Sequence, residues 1–122
     1  SAESLQKNLD TTDLQRQGFR KALNAGVKIA YGTDAGLYPH GDNAKQFPYM
    51  VRYGMSPTQA IQSATIEAAR LLNKQDELGS VAPGKAADLV AMACNPVEKI
   101  ECTAEVQWVI KDGVIIQGKA NK

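Results

Sequence analysis

The sequence predicts an α/β fold with a small all-β part at its C-terminal end. An apolar, partly β-branched run at residues 27–31 is typical of a buried strand, and helical patterns lie on both sides of it. Near the end of the chain, two short apolar runs flank Asp112-Gly113, a dipeptide typical of a type I′ hairpin turn. We therefore divide the chain into residues 1–78, the α/β part, and residues 79–122, the all-β part.

Composition limits the class of protein. The chain has 122 residues, of which 43% are hydrophobic and 22% are charged, and its formal net charge is +1. This balance is that of a globular domain or a piece of one, and it argues against a nucleic-acid-binding or membrane-surface protein. No apolar run reaches the length of a membrane span and no signal peptide is recognisable, so we expect a cytoplasmic location.

The two cysteines, Cys94 and Cys102, match no zinc-binding pattern. A disulfide between them is one interpretation and would suit an exported protein. We expect two free thiols instead, because disulfides are rare in reducing compartments.

The first part of the chain is predicted to be a helix that feeds a strand. Residues 1–10 are polar and are expected to fray. Apolar residues at helical spacing predict a helix over residues 11–25, capped by Thr11, Thr12 or Asp13. Gly26 stands at the usual left-handed C-terminal position, and the strand at residues 27–31 follows directly.

Two further helices are predicted. The first covers residues 44–53, with Asp42 or Asn43 as its cap. The second begins at Ser56-Pro57-Thr58-Gln59, which is a capping-box arrangement, and continues to Leu72.

Short strands are predicted after residue 78. They cover residues 88–93, 106–111 and 114–117, and the last two form the hairpin. Asp88 is expected to fix a turn or to pair locally.

The carboxyl end of the first strand carries the candidate functional residue. After residue 31 the composition changes to Gly32-Thr33-Asp34-Ala35-Gly36, which marks a loop. In α/β folds the functional sites lie at the carboxyl ends of the strands. Asp34 is therefore a candidate for catalysis, although a turn aspartate is the alternative explanation from these residues alone.

One strand cannot form a sheet, since both of its edges need partners. A β/α barrel requires eight strands over about 250 residues. We therefore expect a chain that is incomplete by itself, either a fragment or a unit that pairs with copies of itself.

Four motifs occur in order: GVKIAYGTDAG at residues 26–36, PHGDN at 39–43, GMSPTQAIQSAT at 54–65 and GSVAPGKAADLV at 79–90. Together they resemble the C-terminal third of a metal-dependent hydrolase of the amidohydrolase superfamily, in its Xaa-Pro dipeptidase and imidazolonepropionase-like branch. The resemblance implies that residues 1–78 are the end of a TIM-type (β/α)8 barrel. Residues 79–122 would then be strands of a small β-sandwich.

The resemblance also implies functional roles. Asp34 matches the aspartate at the end of the last barrel strand, which binds a metal and handles the proton of the attacking hydroxide. His40 matches a loop histidine near the substrate, although a surface loop histidine is an equal alternative. The other ligands of the family, which include a His-x-His pair, are absent from this chain, whose only histidine is His40.

The leading hypothesis is thus the C-terminal fragment of a hydrolase that acts on C–N bonds, with zinc or another divalent metal in the full-length parent. The substrate would be a dipeptide or an N-acyl amino acid. We expect no metal and no turnover for the chain alone, and a homo-oligomer. The alternatives are a non-catalytic, self-associating module, or a parent that is a deaminase or cyclic-amide hydrolase.

Overall fold

The computed structural model describes residues 1–37 and 39–118. This part of the chain combines helices with a three-stranded antiparallel sheet. The α-helices are α1 (Ala2–Asn24), α2 (Gln46–Arg52), α3 (Pro57–Ala64) and α4 (Ile66–Leu71), the 3-10 helices are His40–Lys45 and Ile100–Ala104, and the strands are β1 (Leu89–Met92), β2 (Val106–Lys111) and β3 (Val114–Gly118).

Helix α1 begins nine residues earlier than predicted. Ser1 is its cap, because the Ser1 hydroxyl oxygen accepts a hydrogen bond from the Ser4 amide at 3.3 Å. Thr11 does not start the helix; its hydroxyl donates to the Lys7 carbonyl one turn back, at 2.8 Å. The expectation that residues 1–10 fray is therefore wrong.

The end of α1 is as predicted. Gly26 has a φ of 73°, and its amide donates to the Leu23 carbonyl at 3.0 Å. The Val27 amide donates to the Ala22 carbonyl at 3.0 Å, which completes a Schellman motif.

The predicted buried strand at residues 27–31 is not a strand in this chain. Residues 27–35 have no regular secondary structure, and Val27 is 55% exposed. A strand is defined by a ladder, and no described residue provides one here; the Tyr31 amide donates instead to the Ser63 carbonyl at 2.9 Å. The apolar pattern remains visible, because Ile29 and Tyr31 pack against the core.

The helix predicted at residues 44–53 is divided into a 3-10 helix, His40–Lys45, and α2. Pro48 lies in the first turn of α2, where a missing amide proton costs no intrahelical hydrogen bond. Neither Asp42 nor Asn43 caps α2, since its N-cap is Lys45, which makes no capping hydrogen bond from its side chain.

The capping box is confirmed. The Gln59 amide donates to the Ser56 hydroxyl oxygen at 3.1 Å, and the Ser56 amide donates to the Gln59 side chain at 2.9 Å. The helix is interrupted, however, at Thr65, whose φ and ψ are −123° and −95°. The Thr65 hydroxyl donates back to the Ile61 carbonyl at 2.9 Å.

The sheet has the order β1-β2-β3, and both neighbouring pairs are antiparallel. Asp112 and Gly113 have φ angles of 50° and 79°, as a type I′ turn requires, so the hairpin prediction is confirmed. Asp88, immediately before β1, accepts hydrogen bonds from Lys111 and from the Asp112 amide.

The two cysteines form a disulfide, so the prediction of free thiols is wrong. Cys94 follows β1, and Cys102 lies in the second 3-10 helix with a Cα–Cα distance of 5.5 Å. Cys102 is fully buried. The turn at residues 95–99 returns the chain to bring the two sulfurs together, which the spacing of the cysteines does not reveal.

The core joins the helices to the second 3-10 helix. Its buried members are Met50, Met55, Ala60 and Ile100. Seven half-buried residues pack against them: Phe19, Leu23, Ile29, Tyr31, Phe47, Val51 and Ile61. Within residues 1–37 and 39–118, no helix has the length and apolarity needed to cross a bilayer.

Candidate functional site

The backbone at Asp34 is unusual. Its φ is 49°, in the left-handed region that residues with a side chain adopt rarely. Aspartate tolerates this conformation better than most residues because its short polar side chain can bond locally. Asp34 is exposed, as is Asp112, which has a similar φ of 50° in the hairpin turn, so the conformation is one that turn aspartates adopt and does not by itself mark a functional site.

The residues that precede Asp34 contact the segment from the first 3-10 helix to the start of α2. The Thr33 hydroxyl donates to the side-chain oxygen of Asn43 at 2.9 Å. The Gln46 side-chain amide donates to the Gly32 carbonyl at 3.3 Å. The loop with Asp34 is thus fixed by side chains that lie ten to fourteen residues farther along the chain.

His40 begins the first 3-10 helix and is exposed. The Asp42 amide donates to the Pro39 carbonyl at 2.9 Å and closes the turn that contains the histidine. The Asp42 carboxylate also pairs with Lys45 at 2.8 Å. His40 therefore stands on a short ordered turn that follows the Asp34 loop.

The described residues do not make up a metal site by themselves. Among residues 1–37 and 39–118, no group of three His, Cys, Asp or Glu side chains lies close enough to hold an ion. A catalytic zinc ion takes about three protein ligands. The structure therefore brings neither Asp34 nor His40 together with a set of such ligands.

A cavity of about 600 Å³ lies between α1, residues 29–32 and α2. Its lining is mainly apolar and aromatic. The described residues on its walls are Thr12, Arg16, Phe19, Ile29, Ala30, Tyr31, Gly32, Asp42, Asn43, Lys45, Gln46, Tyr49, Met50 and Tyr53. Asp34 and His40 are not among them, so the cavity lies beside the candidate site.

Two contacts of the site were missed by the sequence analysis. The sequence predicts Asp42 or Asn43 as a helix cap, and no pattern in it indicates a contact by Gln46. Both are polar residues near a helix start, where capping is the usual role. No local pattern distinguishes an asparagine that caps a helix from one that accepts a hydrogen bond from a residue ten positions earlier.

The profile of the amidohydrolase family matches residues 4–116. Ochratoxinase from Aspergillus niger is 36% identical over 121 residues, which are 95% of this chain and 25% of that protein. Imidazolonepropionase from Fusobacterium nucleatum is 35% identical over 75 residues, which are 57% of this chain and 18% of that protein.

Solved structures have the same fold over this region. A Xaa-Pro dipeptidase with bound methionine in its active site superposes with a TM-score of 0.81 and 53% identity, covering 84% of this chain and 25% of that chain. The crystal structure of A. niger ochratoxinase superposes with a TM-score of 0.85 and 31% identity, covering 100% of this chain and 29% of that one.

The chain spans about a quarter of the length of these relatives. The family profile nevertheless covers nearly all of the chain, and the ochratoxinase alignment extends over almost every residue of it. The chain belongs to the amidohydrolase family.

Proposed function

We propose that this chain is part of a hydrolase that cleaves C–N bonds and that it contributes Asp34 to the active site. The observation that carries the proposal is the position of Asp34 in a chain whose family is established. Asp34 follows the apolar residues 27–31, at the position where an α/β fold holds its functional side chains.

The proposed role of Asp34 is proton transfer. A carboxylate next to the scissile bond accepts a proton from water as the water oxygen attacks the carbonyl carbon. The same carboxyl group then gives the proton to the leaving nitrogen as the C–N bond breaks. An exposed carboxylate on a fixed loop is free to reach both partners.

His40 is proposed to contact the substrate. It is exposed and begins the turn that follows the Asp34 loop. The proposed substrate class is a dipeptide or an N-acyl amino acid. The similarity to a protein named Xaa-Pro dipeptidase supports this choice.

Asp34 is also proposed to be one ligand of zinc or another divalent metal ion. The described residues supply no complete ligand set, so the remaining ligands would come from parts of the protein outside this chain. The share of the relatives that the chain covers, about a quarter, supports this division.

The corresponding architecture is a (β/α)8 barrel of which residues 1–78 form the end. Residues 27–33 would pair there with strands from outside the chain and would become a strand. Residues 79–122 would belong to a small β-sandwich. The half-buried Ile29 and Tyr31, which already alternate with less apolar neighbours, support the strand assignment.

The test is Asp34→Asn in the full-length protein, assayed with methionyl-proline as the probe. Asn adopts the left-handed conformation readily, so the change removes the charge and leaves the backbone unstrained. Asp112→Asn is the matched control, because Asp112 has a φ of 50° and lies in the distant hairpin. We expect Asp34→Asn to lower kcat by at least about a hundredfold and Asp112→Asn to leave it unchanged.

Wild-type turnover by Asp34→Asn would overturn the proposed role. Hydrolysis of an imidazolone ring instead of the dipeptide would favour a second candidate, a cyclic-amide hydrolase. The similarity to imidazolonepropionase supports that candidate. Loss of an amino group from the substrate would indicate a deaminase.

A third candidate, from another class, is a non-catalytic module that associates with copies of itself. The outer strand β3 favours it, since Val114, Ile115 and Ile116 are 63%, 57% and 65% exposed. An apolar edge strand of this kind can pair with another chain. Light scattering of the purified chain tests this candidate, because a compact monomer would contradict it.

A further inference from the structure

Three consecutive residues before Asp34 are each held by a specific contact. The Tyr31 hydroxyl donates to the backbone carbonyl of Asn43. The Gly32 carbonyl accepts from the Gln46 side chain at 3.3 Å. The Thr33 hydroxyl donates to the side-chain oxygen of Asn43 at 2.9 Å.

Asn43 therefore accepts hydrogen bonds through both of its oxygens, and both come from the chain that leads to Asp34. Its side-chain oxygen accepts from Thr33 and its backbone oxygen from Tyr31. Both residues are half-buried, as is Asn43 itself. Hydrogen bonds in such a site compete with water less than exposed ones do.

The Tyr31 end of this arrangement is itself fixed. The Tyr31 amide donates to the carbonyl of Ser63, which is fully buried, at 2.9 Å. The Tyr31 ring stacks on Phe47 of α2 with 4.6 Å between the ring centroids. Asn43 thus contacts the segment that leads to Asp34, and Tyr31 anchors that segment to both α2 and α3.

The side chain of Asn43 caps neither of the two neighbouring helices. Helix α2 takes Lys45 as its N-cap, and the first 3-10 helix takes Pro39. The amide oxygen of Asn43 is committed to Thr33 instead. Asp34 has a left-handed backbone and directly follows Thr33, so the hydrogen bond between Thr33 and Asn43 restrains the residue next to Asp34.

We propose that Asn43 is a positioning residue, which through the Thr33 hydroxyl fixes the left-handed backbone of Asp34 and the direction of its carboxylate. This inference rests on the proposed function of Asp34. In this proposal the Asn43 side chain acts through the Thr33 hydroxyl and is not itself a catalytic group.

The test variant removes the Thr33 hydroxyl and keeps the branched shape of the side chain. Thr33→Val in the full-length protein deletes the hydrogen bond to Asn43, whereas Thr33→Ser retains a hydroxyl that can make it. With methionyl-proline as the probe, we expect Thr33→Val to lower kcat about tenfold or more, because small misplacements of a catalytic group are costly, with KM unchanged. Thr33→Ser is expected to restore most of the lost kcat.

The matched control is Thr65→Val. The Thr65 hydroxyl also donates a hydrogen bond of 2.9 Å, to the Ile61 carbonyl, at the break between α3 and α4. Both valine variants lose a threonine hydrogen bond, so a loss of activity that came from destabilisation alone would follow the unfolding temperature of each variant. We expect only Thr33→Val to lose kcat when both variants are assayed well below their unfolding temperatures.

Asn43→Ala provides a second route to the same state. If Asn43 acts only through Thr33, the double variant Asn43→Ala with Thr33→Val is no slower than the slower single variant. Additive losses would contradict the proposal. A crystal structure of Thr33→Val gives a readout that needs no activity: we expect Asp34 to leave the left-handed region, and an unchanged Asp34 would overturn the proposal.

The outcomes separate the two proposals. An active Asp34→Asn variant rejects the proposed function and, with it, any catalytic consequence of positioning. An inactive Asp34→Asn variant together with a fully active Thr33→Val variant rejects only the role of Asn43.

Discussion

The Asp88 carboxylate binds the Lys111 ammonium through both oxygens, at 2.8 Å and 3.0 Å. One of the same oxygens also accepts the Asp112 amide at 2.9 Å. Asp88 precedes β1 and Lys111 ends β2, so this group fastens the start of the sheet to the hairpin turn. The hydrogen bond from Lys111, followed by that from the Asp112 amide, lowers the pKa of Asp88 below its ordinary value of 3.8.

This pKa shift predicts a pH-dependent contribution to stability. A carboxyl group whose pKa is lower in the folded state stabilises the fold above its unfolded pKa and loses this effect as the pH falls through its folded pKa. We expect wild type to be more stable than Asp88→Asn at neutral pH. The difference in unfolding free energy should shrink as the pH falls below 3.8.

Urea unfolding at a series of pH values checks this prediction. Asp76→Asn, which removes an exposed carboxylate elsewhere, is the control. A difference between wild type and Asp88→Asn that is the same at every pH would contradict the account of the sheet.

Gly79 and Gly84 form a matched pair for backbone strain. Both have positive φ angles, 83° and 87°. A Cβ atom at Gly79 would lie 2.8 Å from both the Thr65 carbonyl oxygen and the Ala69 Cβ, whereas one at Gly84 would meet open space. We expect Gly84→Ala to cost about 1 kcal/mol for the backbone alone and Gly79→Ala to cost roughly 1–3 kcal/mol more, measured by thermal unfolding. Equal costs would mean that residue 79 does not pack against the break between α3 and α4.

The disulfide is expected to stabilise the fold. Cys94 and Cys102 are eight positions apart, and for so short a loop the closure entropy corresponds to roughly 2–3 kcal/mol. Thiol titration of protein purified without reductant should find these thiols blocked until the denatured protein is reduced. Reduction should then lower the unfolding midpoint, and free thiols in the untreated protein would contradict the bond. Because disulfides persist in oxidising compartments, a blocked pair would also count against the expected cytoplasmic location.

The capping box at the start of α3 gives a local prediction. Ser56→Ala removes the acceptor for the Gln59 amide and should cost about 1 kcal/mol. Ser56→Thr keeps a hydroxyl and should lie close to wild type. Chemical denaturation of the two variants checks this, and an alanine variant as stable as the threonine variant would contradict the capping role.

The elements that the sequence predicted well depend on local chemistry. The turn at Asp112-Gly113 needs only residues that accept positive φ angles, and the box at Ser56 needs only two side chains one turn apart. The same holds for the Schellman motif at Gly26. In each case the interacting residues lie within a few positions of each other, so the local sequence is enough to determine the structure.

The elements that it missed depend on distant partners. Residues 27–31 have the composition of a strand, but a strand also needs a neighbour, and none of the described residues serves as one. The break at Thr65 faces Gly79, fourteen positions later. The bond between Cys94 and Cys102 depends on how the chain turns between them.

The candidate site also has one part that the sequence predicts and one part that depends on the fold. A loop that begins Gly32-Thr33-Asp34 was recognised from its composition, and the left-handed backbone of Asp34 agrees with a residue type that tolerates it. The partner of that loop, Asn43, was not recognised, because its distance to Thr33 is a property of the fold.

The most direct test of the central claim is diffraction from crystals of the full-length protein, with anomalous data collected at the zinc edge. We expect a metal ion with an Asp34 carboxylate oxygen at about 2.0–2.2 Å, the usual distance for such a ligand. A metal ion bound by other residues, with the Asp34 carboxylate well beyond ligand distance, would contradict the claim that Asp34 belongs to the catalytic site.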